Sequence, residues 1–213
     1  MQLYYITDRN GFPGDETARR RQLLNKIVEA ARAGVDYIQV REKDLTSGEL
    51  EAIGREAVRT VRQANRETRL LLNSRTDVAL AIDADGVHLR GDDVSPREVA
   101  TIQSLVDQDE RVESFLTIVS CHSVDDVRRA ESEGTNFAVL APIFGKQAHP
   151  PGQALGLESL KIACRGNLPI FALGGVTLEN ARDCIEAGAV GIAAIRLFQH
   201  NRIDEVVLQL HRL

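Results

Sequence analysis

Short apolar runs alternate with amphipathic stretches along the whole chain, and this rhythm limits the folds open to it. The runs lie at residues 3–7, 37–40, 69–72, 86–89, 115–119, 137–140, 169–173 and 190–195. Each has the length of a buried strand. Between them lie helix-like stretches at 17–33, 47–65, 76–82, 123–133, 157–164 and 178–186, and a last one at 203–210 closes the chain. In the first, Leu23, Leu24, Ile27, Val28 and Ala31 share one face. Ser95 followed by Pro96 starts a further helix, with Ser at the N-cap. Ser47, Ser123 and Thr177 sit where they can open others. Strands separated by helices call for a parallel sheet.

A weak repeat supports this parse. Ala33-Gly34-Val35-Asp36, Ala84-Asp85-Gly86, Glu133-Gly134-Thr135-Asn136 and Ala187-Gly188-Ala189 each precede a strand. Each reads as a helix end with Gly at the C-cap and a turn into the next strand. Eight such units in 213 residues predict an α/β protein with one domain over residues 1–213, a closed TIM (β/α)8 barrel. The alternative is an open doubly wound sheet. That fold wants a Gly-rich fingerprint after strand one, and Asp8-Arg9-Asn10-Gly11 is not one.

In a parallel barrel, ligands bind beyond the strands' C-terminal ends. The densest polar cluster there is Arg41-Glu42-Lys43-Asp44, directly after Tyr37-Ile38-Gln39-Val40. Gln39 and Arg41 share a face by period two, and Lys43 continues it if the extended backbone persists. Three long donors make a clamp for a phosphate-bearing ligand. Gly174-Gly175 after strand seven and Ile195-Arg196 after strand eight form a candidate backbone cradle for phosphate. His122, His149 and Cys121 are candidates for moving a proton near neutral pH, whereas His88, inside an apolar run, reads as structural.

A net charge of -5 with scattered basic residues offers no stripe for nucleic acid. No apolar run is long enough to span a membrane, and no signal peptide is evident. Three scattered cysteines suggest neither a disulfide framework nor a metal knuckle. These features fit a cytoplasmic protein acting on a small phosphate substrate. A homodimer is compatible with the sequence, which fixes no oligomeric state.

Four collinear motifs carry a resemblance. They are Gln39-x-Arg41-Glu42-Lys43-Asp44; Ala84-Asp85-Gly86-Val87-His88-Leu89 followed by Asp92-Asp93; Ala141-Pro142-Ile143-Phe144; and Ala172-Leu173-Gly174-Gly175-Val176-Thr177-Leu178-Glu179-Asn180. Together they resemble the thiamine phosphate synthase/TenI family over nearly the whole chain. The resemblance implies a (β/α)8 barrel acting on thiazole phosphate. Synthase members join it to hydroxymethylpyrimidine pyrophosphate with Mg²⁺ and release pyrophosphate. TenI members instead tautomerise a thiazole carboxylate phosphate.

By that resemblance Gln39, Arg41, Lys43 and Asn73 meet the pyrimidine pyrophosphate, Ser120 is the serine near it, and Gly175 binds the thiazole phosphate. Asp93 matches one magnesium position, but its partner position holds Ser74 instead of Asp. The loop after strand six reads Phe144-Gly145-Lys146-Gln147-Ala148-His149, without the family's two hydroxyls, and Arg196 replaces the usual Ser. Since Mg²⁺ wants carboxylates, these departures favour a TenI-like tautomerase with His122, His149 and Ser120 as catalytic candidates. The TenI catalytic His, however, aligns with Pro142. An atypical Mg²⁺-dependent synthase using Asp93 with Asp92, and a non-catalytic binder, are the other readings.

Overall fold

The computed structural model describes residues 1–106, 115–145 and 154–213. His149 and the loop positions from Lys146 to Ala148 lie outside the described residues. The strands are β1 (Gln2–Ile6), β2 (Tyr37–Val40), β3 (Arg69–Asn73), β4 (Gly86–Leu89), β5 (Leu116–Cys121), β6 (Phe137–Leu140), β7 (Ile170–Leu173) and β8 (Gly191–Ala194). They pair in sequence order, all parallel, and β1 pairs with β8 to close the barrel. The open-sheet alternative is thereby excluded.

The helices are α1 (Glu16–Ala33), α2 (Ser47–Ala64), α3 (Thr76–Ala81), α4 (Pro96–Val106), α5 (Val124–Ser132), α6 (Gly156–Ala163), α7 (Ala181–Glu186), α8 (Arg196–Gln199) and α9 (Ile203–Leu210). Period-two alternation sorts the strand side chains. Tyr4, Ile6, Tyr37, Leu71, Ile118, Val139, Phe171 and Ala193 fill the barrel. Leu3, Tyr5, Ile38, Val40, Leu70 and Leu72 face outward and join Leu23, Ile27, Ile53 and Ala57 of the helices. Full burial of each such aliphatic side chain stabilises the fold by roughly 1.5–3 kcal/mol. Inside the barrel, the rings of Tyr4, Tyr37, Phe137 and Phe171 interlock at centroid distances of 5.3–5.9 Å.

The sequence repeat has a structural reason at the N-terminal end of the barrel. Asp36 accepts a hydrogen bond from Leu3 N, Asp85 from Leu70 N and Asn136 from Thr117 N, at 2.7–2.8 Å. Each side chain satisfies a strand amide at the start of its ladder. Gly34, Gly134 and Gly188 have positive φ, as expected after helices. Gly86 does not, and the left-handed residue after α3 is Asp83 (φ 58°). Gly86 is instead needed inside β4, where any Cβ would collide with the backbone of Leu116.

Several element ends differ from the sequence expectation. The cap of α2 is Thr46, not Ser47, because Thr46 and Glu49 form a reciprocal capping box. Thr177 does not open a helix at Leu178. Asn180 folds back, accepting from Thr177 N (2.8 Å) and donating to Gly175 O (3.0 Å), so α7 starts at Ala181. β5 runs two residues further, through Ser120↔Val139 and Cys121↔Leu140. Short α8 lies between β8 and α9, where no helix was expected. Ser95 and Ser123 do cap α4 and α5.

Candidate functional site

Gln39, Arg41, Asn73, Ser120 and Gly175 all lie at or just beyond the C-terminal ends of their strands, so one mouth brings them together. Below the Arg41 loop lies a buried polar network that the sequence reading missed. Glu42 accepts from Thr7 Oγ1 (2.6 Å), from Arg9 N (3.0 Å) and from Arg9 Nη1 (3.2 Å). Arg9 also forks onto Asp44 at 2.6 and 2.9 Å and reaches Glu16 at 2.9 Å. Thr7 Oγ1 in turn accepts from Arg41 N (3.0 Å). The network ties the loop after β1 to the loop after β2 and holds the Arg41 backbone in place. The hydrogen bonds from Arg9 hold the Asp44 carboxyl down at about 2, while burial raises that of Glu42. The signal was legible only as the acidic pair inside the Arg41–Asp44 cluster.

The extended backbone does not persist to Lys43, which sits in a turn closed by Leu45 N to Glu42 O at 3.3 Å. Lys43 is exposed and Arg41 half-buried. Among the described residues neither side chain makes an ion pair or hydrogen bond. The charge of Arg41, then burial, then Arg90, lowers the Lys43 pKa. The two cations thus act on each other with no counter-ion among the described residues, and an anion arriving there relieves their repulsion.

Deeper in the mouth, Gln39 is 1 % exposed and donates to Asn73 Oδ1 (3.1 Å), and Asn73 donates to Ser74 Oγ (3.0 Å). Gln39 Oε1 is buried without a partner among the described residues. A buried acceptor left in that state costs roughly 1–3 kcal/mol unless a ligand donor reaches it. His88 is buried too, with Nδ1 2.8 Å from the Tyr4 hydroxyl and Nε2 2.8 Å from Ser120 Oγ. Burial, with the charge of Arg41, pushes its pKa down to about 3, so the ring is neutral with both nitrogens hydrogen-bonded.

The other proton-transfer candidates separate. Cys121 points out of the barrel into the helix-facing core, and burial pushes its thiol up to about 12, which removes it from the mouth. His122 is exposed, with Nδ1 2.9 Å from Ala141 O. A carbonyl only accepts, so Nδ1 carries a proton and donates it to Ala141 O.

Opposite, Gly174 (φ 96°) and Gly175 (φ 71°) pass against the strand-six loop. A Cβ on Gly174 would lie 2.7 Å from Pro142 Cα, and one on Gly175 2.8 Å from Phe144 Cβ and 2.9 Å from Phe144 O. Both glycines therefore have a packing reason beside any ligand. Ile195 is the N-cap of α8, and exposed Arg196 its first residue. The first N–H groups of α8 have no intrahelical acceptor, and α8 follows β8, the neighbour of the strand that ends at the Gly174–Gly175 turn.

The donor set does not fit the magnesium that the resemblance implies. Ser74 is neutral, has φ 63°, and already accepts from Asn73. Asp93 accepts from Arg90 N (2.7 Å) and lies 3.4 Å from the Arg90 guanidinium, so it already has a cation. Among the described residues no three His, Cys, Asp or Glu side chains gather as a metal site.

The family model described as thiamine monophosphate synthase matches residues 3–198. A thiamine-phosphate synthase of a Roseiflexus species is 37% identical over 195 residues, covering 91% of this chain and 76% of that one. One from Natronomonas pharaonis is 37% identical over 198 residues, covering 91% and 85%. The solved thiamine phosphate pyrophosphorylase of Pyrococcus furiosus superposes with a TM-score of 0.80 at 26% identity, covering 99% of this chain and 94% of that one. A 3-hexulose-6-phosphate synthase, at 16% identity and a TM-score of 0.66, shares the fold alone.

Proposed function

The chain belongs to the thiamine monophosphate synthase family, and from that premise we propose that it is a transferase joining a pyrimidine pyrophosphate to thiazole phosphate. The observation that carries this reading is the pair Arg41 and Lys43, close enough for one charge to act on the other and without a counter-ion among the described residues. In the reaction the carbon–oxygen bond to pyrophosphate breaks and the leaving group keeps the electron pair. The thiazole nitrogen supplies the pair for the new carbon–nitrogen bond. Charge therefore accumulates on the pyrophosphate oxygens, where fixed positive groups stabilise it most in the transition state.

Arg41 and Lys43 take that role, and the Thr7–Glu42–Arg9 network fixes the loop that presents Arg41. Gln39 Oε1 accepts from an N–H of the pyrimidine, which supplies its missing partner. The N–H groups around Gly175 and Ile195 hold the phosphate of the thiazole on the opposite side, with Arg196 beside them. The tautomerase favoured from sequence alone has weaker support. The relatives bear synthase names, Pro142 stands at the tautomerase histidine position, and His122 is the one open imidazole among the described mouth candidates.

A coupled assay with both substrates decides between them. Thiamine phosphate and pyrophosphate should form in equal amounts. Arg41→Ala and Lys43→Ala should each lower kcat/KM roughly ten- to hundredfold, the worth of a hydrogen bond to a charged group. No product from the two substrates, together with isomerisation of thiazole carboxylate phosphate, would return the tautomerase to first place.

A further inference from the structure

The buried contacts of Tyr4 and His88 fix the direction of the Ser120 hydroxyl. Tyr4 is 0% exposed, and its hydroxyl has one hydrogen-bond partner among the described residues, His88 Nδ1 at 2.8 Å. A phenol O–H pointing at no acceptor in the barrel interior costs the desolvation of that donor. Tyr4 therefore donates, and Nδ1 is an acceptor without a proton. A neutral imidazole then carries its proton on Nε2. The Nε2–H group donates to Ser120 Oγ at 2.8 Å. That contact uses one lone pair of the serine and leaves its O–H as the free end of the chain. Ser120 is half-buried, on the inward face of β5, and makes no other hydrogen bond among the described residues.

We propose that Tyr4 and His88 are positioning residues that lock one imidazole tautomer and so hold Ser120 as an outward hydrogen-bond donor to an anionic oxygen of the ligand in the mouth. The ligand half of this statement rests on the anion reading given above; the tautomer half does not. The opposite polarity, with Ser120 donating inward, would give the mouth an acceptor and repel a phosphate oxygen. The charges that act on the imidazole are Arg41, which disfavours its protonation, and Asp93, which favours it, and neither hydrogen-bonds a ring nitrogen. Tyr4 thus acts on a ligand through two hydrogen bonds without touching it.

Two measurements test this. Long-range proton–nitrogen correlation spectra of protein labelled with ¹⁵N-histidine report each tautomer, with His88 identified by its loss in His88→Gln. The Nε2–H pattern is expected for His88 from pH 5 to 8. A protonated ring or an Nδ1–H pattern overturns the proposal, even if the variants below do not fold. The second measurement is a double-mutant cycle on the affinity for inorganic pyrophosphate, by calorimetry. Tyr4→Phe and Ser120→Ala should each weaken binding by roughly two- to tenfold, the worth of one neutral hydrogen bond. Tyr4→Phe placed on Ser120→Ala should then cost nothing further, because its effect passes through that hydroxyl. Additive losses would mean that Tyr4 is merely structural and would overturn the proposal. If wild type binds no pyrophosphate at all, the anion reading fails, and with it the ligand half of the proposal. The spectrum still decides the tautomer.

Discussion

Replacing Gly175 by Ala asks two questions of the structure at once, and a second glycine separates them. Gly175 has φ 71° and Gly134 has φ 80°, so Ala meets the same left-handed penalty at both, about 1–2 kcal/mol. Around Gly134 nothing lies within 4 Å of a new Cβ. At Gly175 the new Cβ falls 2.8 Å from Phe144 Cβ and 2.9 Å from Phe144 O. The carbonyl belongs to backbone pinned by Phe144 N to Gly174 O at 2.8 Å, so it cannot turn aside cheaply. Overlap of this kind adds about 1–3 kcal/mol. With roughly 2–4 °C of melting temperature per kcal/mol for a chain of this size, Gly134→Ala should lose about 2–8 °C and Gly175→Ala about 4–20 °C. Differential scanning calorimetry of both variants in one buffer gives the comparison. Inorganic phosphate, titrated well below either transition, should bind Gly134→Ala as it binds wild type and bind Gly175→Ala more weakly. Equal melting temperatures would refute the close approach to Phe144, and unchanged phosphate affinity would remove Gly175 from the cradle.

Thr7→Val removes the acceptor for Arg41 N and the donor to Glu42 inside a buried network. A loss of about 1–3 kcal/mol is expected in urea unfolding, and a midpoint equal to wild type would show that the network carries no stability. His88 should make the protein acid-sensitive. Its folded pKa lies near 3 against 6.5 when unfolded, so the unfolded chain binds a proton first and stability falls as pH drops from 6.5 towards 3. The slope is on the order of 1 kcal/mol per pH unit, and His88→Gln should flatten it; an identical acid limb in both proteins would contradict the assignment. Ser74→Asp restores a carboxylate at a left-handed position that Asp tolerates, so pyrophosphate release should become more dependent on Mg²⁺. If a magnesium series gives superimposable curves for wild type and variant, the missing carboxylate is not what shapes this site.

The barrel was legible because both of its periodicities are written in short windows. Apolar runs of four to six residues and helical faces such as Leu23–Ile27 need no long-range information. The mouth was legible for a related reason, since polar groups that directly follow an apolar run must lie at a strand end. What escaped depends on pairing across the barrel. His88 meets Ser120 only because β4 and β5 are neighbours, and Tyr4 reaches His88 only through the interior. Glu42 and Arg9 are separated by α1 and β2 in sequence, so nothing local marks them as partners. Element ends failed where one of several neighbouring side chains took the capping bond, as Thr46 does before Ser47, or folded back on the preceding turn, as Asn180 does at Gly175.

The seam between β1 and β8 also has a meaning for how the chain is made. Gln2–Tyr5 is synthesised well before its partner Gly191–Ala194, with β2 to β7 between them. Until β8 emerges, β1 shows one unpaired row of amides and β7 another, the kind of edge that invites pairing with a second nascent chain. The seam tolerates no substitute for Gly191, whose Cβ would strike the carbonyl of Gln2. A truncation before residue 191 therefore leaves two open edges at once. A side chain at 191 keeps the full length and yet holds the two ends of the molecule apart. A change confined to α9 leaves every strand pairing of the ring in place, because that helix contributes none of them.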